Sequence, residues 1–131
     1  MNVFDPTLQG LTEALTLHQQ RHEVLASNVA NVETPGYRAR ELDFGTALRQ
    51  AFDAAEGAAN APGTEGGEAA PRTAAPPVVD DPTGPRRADG NTVDLDLQMT
   101  KLNANGQAYL ALAHILGKRI ALLRQAIEGT R

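Results

Sequence analysis

The 131-residue chain has no cysteine and no tryptophan, and only two tyrosines and three phenylalanines. Without cysteine no disulfide can staple it, and the redox state of its compartment leaves no trace in the sequence. Serine occurs once, at Ser27, so no Ser/His/Asp arrangement is suggested. Charge of one sign is also scarce: 16 acids against 12 bases leave a formal −4. The balance is uneven, with 6 acids and 4 bases in residues 1–50, 7 and 3 in 51–90, and 3 and 5 in 91–131. No basic cluster is large enough to predict a nucleic-acid partner. No run of about 18 apolar residues exists to span a bilayer. The opening "MNVFDPTLQGLTEALTLHQQRHEVL" lacks the basic-then-apolar order of a cleavable leader. Any export is therefore expected to use a route without a removable signal.

Large apolar side chains are nearly missing from residues 54–90, where Val78 and Val79 interrupt a stretch dominated by Ala, Gly, Pro and charged residues. Such a stretch buries too little to offset its chain entropy, which predicts a flexible, disordered linker. It divides the chain into an N-terminal heptad helix over 1–33, a turn and short helix over 34–53, the linker over 54–90, and a C-terminal heptad helix over 91–131. Arms this short make marginal cores without disulfide, metal or partner.

What is present is periodicity. Phe4, Leu8, Leu11, Leu15, His18, His22, Leu25, Val29 and Val32 follow one another at alternating spacings of four and three, the seam of a helix packed lengthwise on another. Asp5-Pro6 makes a start, as cap and first helical residue, and Thr34-Pro35-Gly36 makes a stop. Within "ELDFGTALRQAF", Asp43 can cap a short helix in which Phe44, Leu48 and Phe52 recur. The last arm repeats the heptad spacing through Leu95, Met99, Leu102, Gly106, Tyr109, Ala113, Leu116, Ile120, Leu123 and Ile127. Asp89-Gly90 is a turn signal, Asn91 or Thr92 can cap, and Asp94 and Asp96 suit the positive helix N-terminus. Lys118, Arg119 and Arg124 lie toward the other end, and Gly129 closes it. The fold class is therefore mainly all-α, with the two terminal helices pairing as an antiparallel coiled coil. A second apolar row, Ala108, Leu112, Ile115 and Leu122, exceeds what the first arm can cover. Leu112, Ile115, Leu116, Ile120, Leu122 and Leu123 are thus expected to form a face for another molecule.

Candidate chemistry is thin. His18 and His22 stand four apart, a spacing that can chelate a metal, with His114 as the remaining histidine. No HExxH glutamate lies between them, and both fall on the apolar seam, where a polar residue commonly fixes register. Asp80-Asp81 reads as a solvated pair, and "EGGEAAP" as linker rather than phosphate loop. No enzyme, cofactor or metal site is expected. Asn28 and Asn31 are poor helix-interior residues, since their side chains compete for backbone hydrogen bonds. They either bond the turning chain or reach a neighbouring helix in an assembly. Asn105 is a similar candidate, and Gly106 permits close helix approach at about 1 kcal/mol relative to alanine.

The block "LASNVANVETPGYRARELDF", residues 25–44, resembles the N-terminal signature of the axial proteins of the bacterial flagellum: a helix ending in S-N-x-A-N, then T-P-G-Y and basic residues. "DGNTVDLDLQMTKLNANGQAYL" is similar to that family's entry into its last helix, with Asn91, Thr92, Val93, Asp94, Asn105 and Tyr109 matching. "YRARELDF" and "GNTVDLD" make the proximal rod subunits the nearest resemblance within the family. The resemblance covers about residues 1–52 and 88–131 and implies nothing for the middle. It implies a structural subunit, exported through the flagellar type III apparatus and assembled in the periplasmic part of the rod. Its partners would be itself, neighbouring rod subunits, and membrane-ring and rod-base adaptor proteins. Asn28, Asn31, Pro35, Gly36, Tyr37, Asn105 and Tyr109 would shape the turn and the subunit contacts. The free subunit would show little helix and gain it on assembly. Three rival readings remain: a cytosolic helical-hairpin adaptor or secretion chaperone, a small metal enzyme using its histidines, and a neighbouring rod subunit.

Overall fold

The computed structural model describes residues 6–60 and 76–129. Helix α1 runs Pro6–Ala30, strand β1 Arg40–Leu42, helix α2 Phe44–Asn60, strand β2 Val78–Asp80 and helix α3 Leu95–Glu128. The described chain is mainly helical, and its long first and last helices pack on each other. His18 meets Asn105 and Asn28 meets Gln98, so α1 and α3 run antiparallel.

Each boundary has a local cause. Pro6 opens α1, where its fixed φ and missing N–H cost nothing; Phe4 and Asp5 lie outside the described residues. After Ala30 the bonds tighten, Val32 N–H reaching Val29 O and Thr34 N–H reaching Asn31 O. Gly36, at φ 73°, then reverses the chain in a conformation costly for other residues. Asp43 starts α2 by accepting from Thr46 N. Asp94 caps α3 by accepting from Leu97 N, and Gly129 N–H closes it on Gln125 O.

Two sequence expectations need correction. Helix α2 does not stop near residue 53 but continues to Asn60, because the alanines that gave the stretch a linker-like composition are the best helix formers. Residues 76–90 are not a loose linker either. Val78–Asp80 pairs antiparallel with β1 in the register Arg40↔Asp80, Glu41↔Val79 and Leu42↔Val78. This segment gains its order from backbone partners and buried polar groups, which an apolar count does not register. Residues 61–75, the rest of the expected disordered linker, lie outside the described residues.

The apolar core is small. Leu17, Leu42 and Ala47 form its centre, with Phe44 and Leu48 packed against it. Gly10 is buried under the Phe52 ring, where a Cβ would collide, so α2 approaches α1 closely there. The heptad seams coincide only in part with the buried lines. On α1 the buried side chains are Ala14, Leu17, His18, Leu25 and Asn28, while His22 is exposed. That face is broader than a seam because α1 packs against α2 and β1 as well as α3. On α3 the buried residues are Gln98 and Asn105, and the seam residues Leu95, Met99, Tyr109, Ile120 and Ile127 are exposed.

Candidate assembly interface

The helices meet through a polar joint. Asn28, fully buried, donates to Arg40 O at 2.6 Å and Gln98 Oε1 at 2.9 Å. Its Oδ1 accepts from Arg40 N at 2.9 Å and from the Tyr37 hydroxyl at 3.2 Å. The side chain therefore bonds the returning chain and α3 of its own molecule. Asn31 donates to Ser27 O and accepts from Thr34 Oγ1, tying the turn in which Pro35 lies exposed. Asn105 faces His18 twice: its Oδ1 lies 2.7 Å from His18 Nδ1, and its Nδ2 donates to His18 O at 2.8 Å. With Nδ2 of that amide donating, its Oδ1 is left as the acceptor facing His18 Nδ1. The imidazole also tilts over Phe44, with centroids 4.5 Å apart. His22 and His114 are exposed, and among the described residues no group of three or more His, Cys, Asp or Glu could hold a metal ion.

Asn91 has a role the sequence left open. It does not cap α3, which Asp94 does; its Nδ2 reaches the carbonyls of Asn31, Val32 and Thr34. Asn31 O and Thr34 O also accept from the Thr34 and Tyr37 amides of the turn, and Arg87 adds a donor to Val32 O at 3.0 Å. The opening of the second arm thus closes the end of the first.

An ion network crosses the same joint. Arg21 grips Glu41 through Nε and Nη2, at 2.9 and 3.2 Å. Lys101 reaches Glu41 at 3.1 Å and Asp81 at 2.6 Å. Gln98 Nε2 and the Thr83 amide also donate to Asp81. Burial pushes the Asp81 carboxyl up, but its bonds from Lys101, Thr83 and Gln98 outweigh this and hold its pKa at about 2. Burial likewise works against charge on Glu41 and Lys101. Hydrogen bonds from Arg21 and Lys101 still leave Glu41 lowered, and those to Asp81 and Glu41 leave Lys101 raised. Asp80-Asp81 is therefore no solvated pair: Asp80 is exposed beside Arg38, and Asp81 is buried. A signal existed in the spacing, since Arg21 and Asn28 on α1 and Gln98 and Asn105 on α3 stand seven apart, two polar rows hidden beside apolar seams.

Much of α3 is uncovered, on more than one side. Leu110, Leu122 and Ile127 are 68%, 62% and 60% exposed, and Met99, Tyr109, Ile115 and Ile120 are exposed as well. Leu112, seven residues beyond Asn105, is half-buried, as are Leu116 and Leu123. The expected face is therefore split: Ile115, Ile120 and Leu122 lie open, while the other three are partly covered. At 34 residues α3 is about 51 Å long, against about 38 Å for the 25 residues of α1. Its distal turns thus extend past the described part of its partner. Among the described residues no helix is long and apolar enough to cross a membrane.

Two long terminal helices, a turn of the form Asn28…Asn31…Pro35-Gly36-Tyr37 and exposed apolar side chains along the last helix define a structural subunit. Comparison with known proteins agrees. A family profile described as "Flagella basal body rod protein" matches residues 8–38. The chain is 35% identical to the flagellar basal body rod protein FlgB of Yersinia enterocolitica, over 98% of each chain. It is 33% identical to FlgB of Salmonella typhimurium over 95% of each, and 35% identical to FlgB of Cereibacter sphaeroides over 98% of this chain and 99% of that one. The chain belongs to the flagellar basal body rod protein family, structural components of the bacterial flagellum that serve motility.

Proposed function

We propose that the chain is the FlgB-type subunit of the rod. It polymerises with copies of itself and with neighbouring rod subunits through the exposed apolar side chains of α3. The supporting observation is the exposure of Leu110, Ile115, Ile120, Leu122 and Ile127 on more than one side of α3, large apolar side chains that the described residues of one copy leave open to a partner. Assembly in the periplasmic part of the rod, after export through the flagellar type III apparatus without signal cleavage, follows from the family reading. So do contacts with membrane-ring and rod-base adaptor proteins, torque transmission and a place in the wall of the export channel. Asn28, Asn31, Pro35, Gly36, Tyr37 and Asn105 set the turn and the joint that present the exposed side chains of α3, with Tyr109 beside them. The role needs no cofactor and no catalysis.

The test is replacement of the native gene by an Ile120→Asp/Leu122→Asp variant. Export of the variant subunit should continue, its purified form should keep the wild-type urea midpoint, and swimming in soft agar should be lost. Full motility of the double variant would overturn the reading.

A further inference from the structure

The stretch 36–43, which leads from α1 through β1 into α2, finds its backbone partners mostly in one later segment. Gly36 N–H donates to Asp89 O at 2.9 Å, and Thr92 N–H to Tyr37 O at 3.1 Å. Ala39 N–H donates to Thr92 Oγ1, Asp81 N–H to Ala39 O, and Asp43 N–H to Pro77 O. β1 takes its ladder from β2. Arg40 is the exception, its N–H and C=O both bonded to Asn28. The end of α1 is closed by Asn91 and Arg87 of the same later segment. The first turns of α3 then add Gln98 to Asn28, Lys101 to Glu41 and Asn105 to His18.

Left to itself, the first arm keeps the Leu17, Leu42 and Ala47 cluster, the Arg21–Glu41 pair and the Asn28 bonds to Arg40. These do not satisfy the backbone groups of an extended stretch, which must be paired before it can be packed. We infer that residues 77–94 act as a strap, and that residues 6–60 have no closed state until the strap and the first turns of α3 fasten them. The strap does not depend on the rod reading.

Hydrogen exchange on the full-length chain tests this. In the wild type, the amides of Leu17–Asn28, of Ala39 and Asp43, and of Gln98–Asn105 should exchange through one common opening, with protection matching within about threefold. Asn91→Ala, which removes the strap's side-chain bonds to the turn after α1, should lower protection in all three groups together by about tenfold or more. The milder Thr92→Val should do the same to a smaller extent if Asn91→Ala does not fold. Ile120→Ala, far from the strap, should leave all three unchanged. Protection of Leu17–Asn28 and Asp43 that survives either strap variant while Gln98–Asn105 loses its own would overturn the strap. A wild-type chain with no protection in either arm would also overturn it.

Discussion

Asn28 shows what a single side chain contributes. It donates twice and accepts twice in a site closed to water, which only an amide can do. Asn28→Asp places an acceptor against the Arg40 carbonyl and Gln98 Oε1 and buries a charge. The expected cost is about 3 kcal/mol, read from urea unfolding. Asp81 gives a pH signature at the same scale. Its folded pKa of about 2 lies below the ordinary 3.8, so its contribution is full above the unfolded value and is lost as pH falls through the folded one. That contribution is about 2 kcal/mol. Glu41, also lowered, adds in the same sense. Lys101, raised above an ordinary 10.5, loses its share only at alkaline pH and takes no part in the acid limb. Urea midpoints should therefore fall between about pH 4 and pH 2, and the gap between wild type and Asp81→Asn should close over that window.

At the scale of elements, glycines separate the strap from the open helix. A Cβ on Gly84 would strike the backbone carbonyl of Thr92 and come within 3.6 Å of Asp94 N. Gly84→Ala must therefore shift the strap, at an expected cost of about 2–3 kcal/mol by chemical unfolding. A Cβ on Gly106 would meet nothing within 4 Å, so Gly106→Ala should stabilise the free helix by about 1 kcal/mol and raise its circular dichroism signal. These elements differ in how far the sequence disclosed them. Helices α1 and α3 were legible from Pro6, Pro35, Asp94 and their apolar spacing. The strap was not, because Val78–Asp80 is ordered by ladder bonds to a strand distant in sequence, and Asp81 and Asn91 by partners that only the closed fold supplies. Their residue types suit a solvated loop equally well. The facing of α3 was misjudged for a related reason. Heptad spacing locates an apolar stripe, but burial of Gln98 and Asn105 by Asn28 and His18 decided which side turned inward. The turn at Asn28, Asn31 and Gly36 was visible in the sequence; that Asn28 bonds both Arg40 and Gln98 was not.

At the scale of the whole molecule, a body fastened by polar links and few large apolar side chains is expected to be marginally stable. Neutral links of this kind contribute about 1 kcal/mol net each. The distal turns of α3, with Ile120 and Leu122 exposed, are expected to gain stability when neighbours bind, by mass action. A strapped body that closes as one unit departs from the sequence's expectation of little helix throughout the free chain, and circular dichroism of the purified subunit separates the two. The central claim is that other rod subunits cover the exposed apolar side chains of α3. It is tested most directly by placing a photo-crosslinking residue at Leu110 or Ile120 in cells that swim with the substituted protein. The account predicts adducts between this subunit and a second rod chain at both positions. Swimming cells in which both positions yield only uncrosslinked subunit would contradict it.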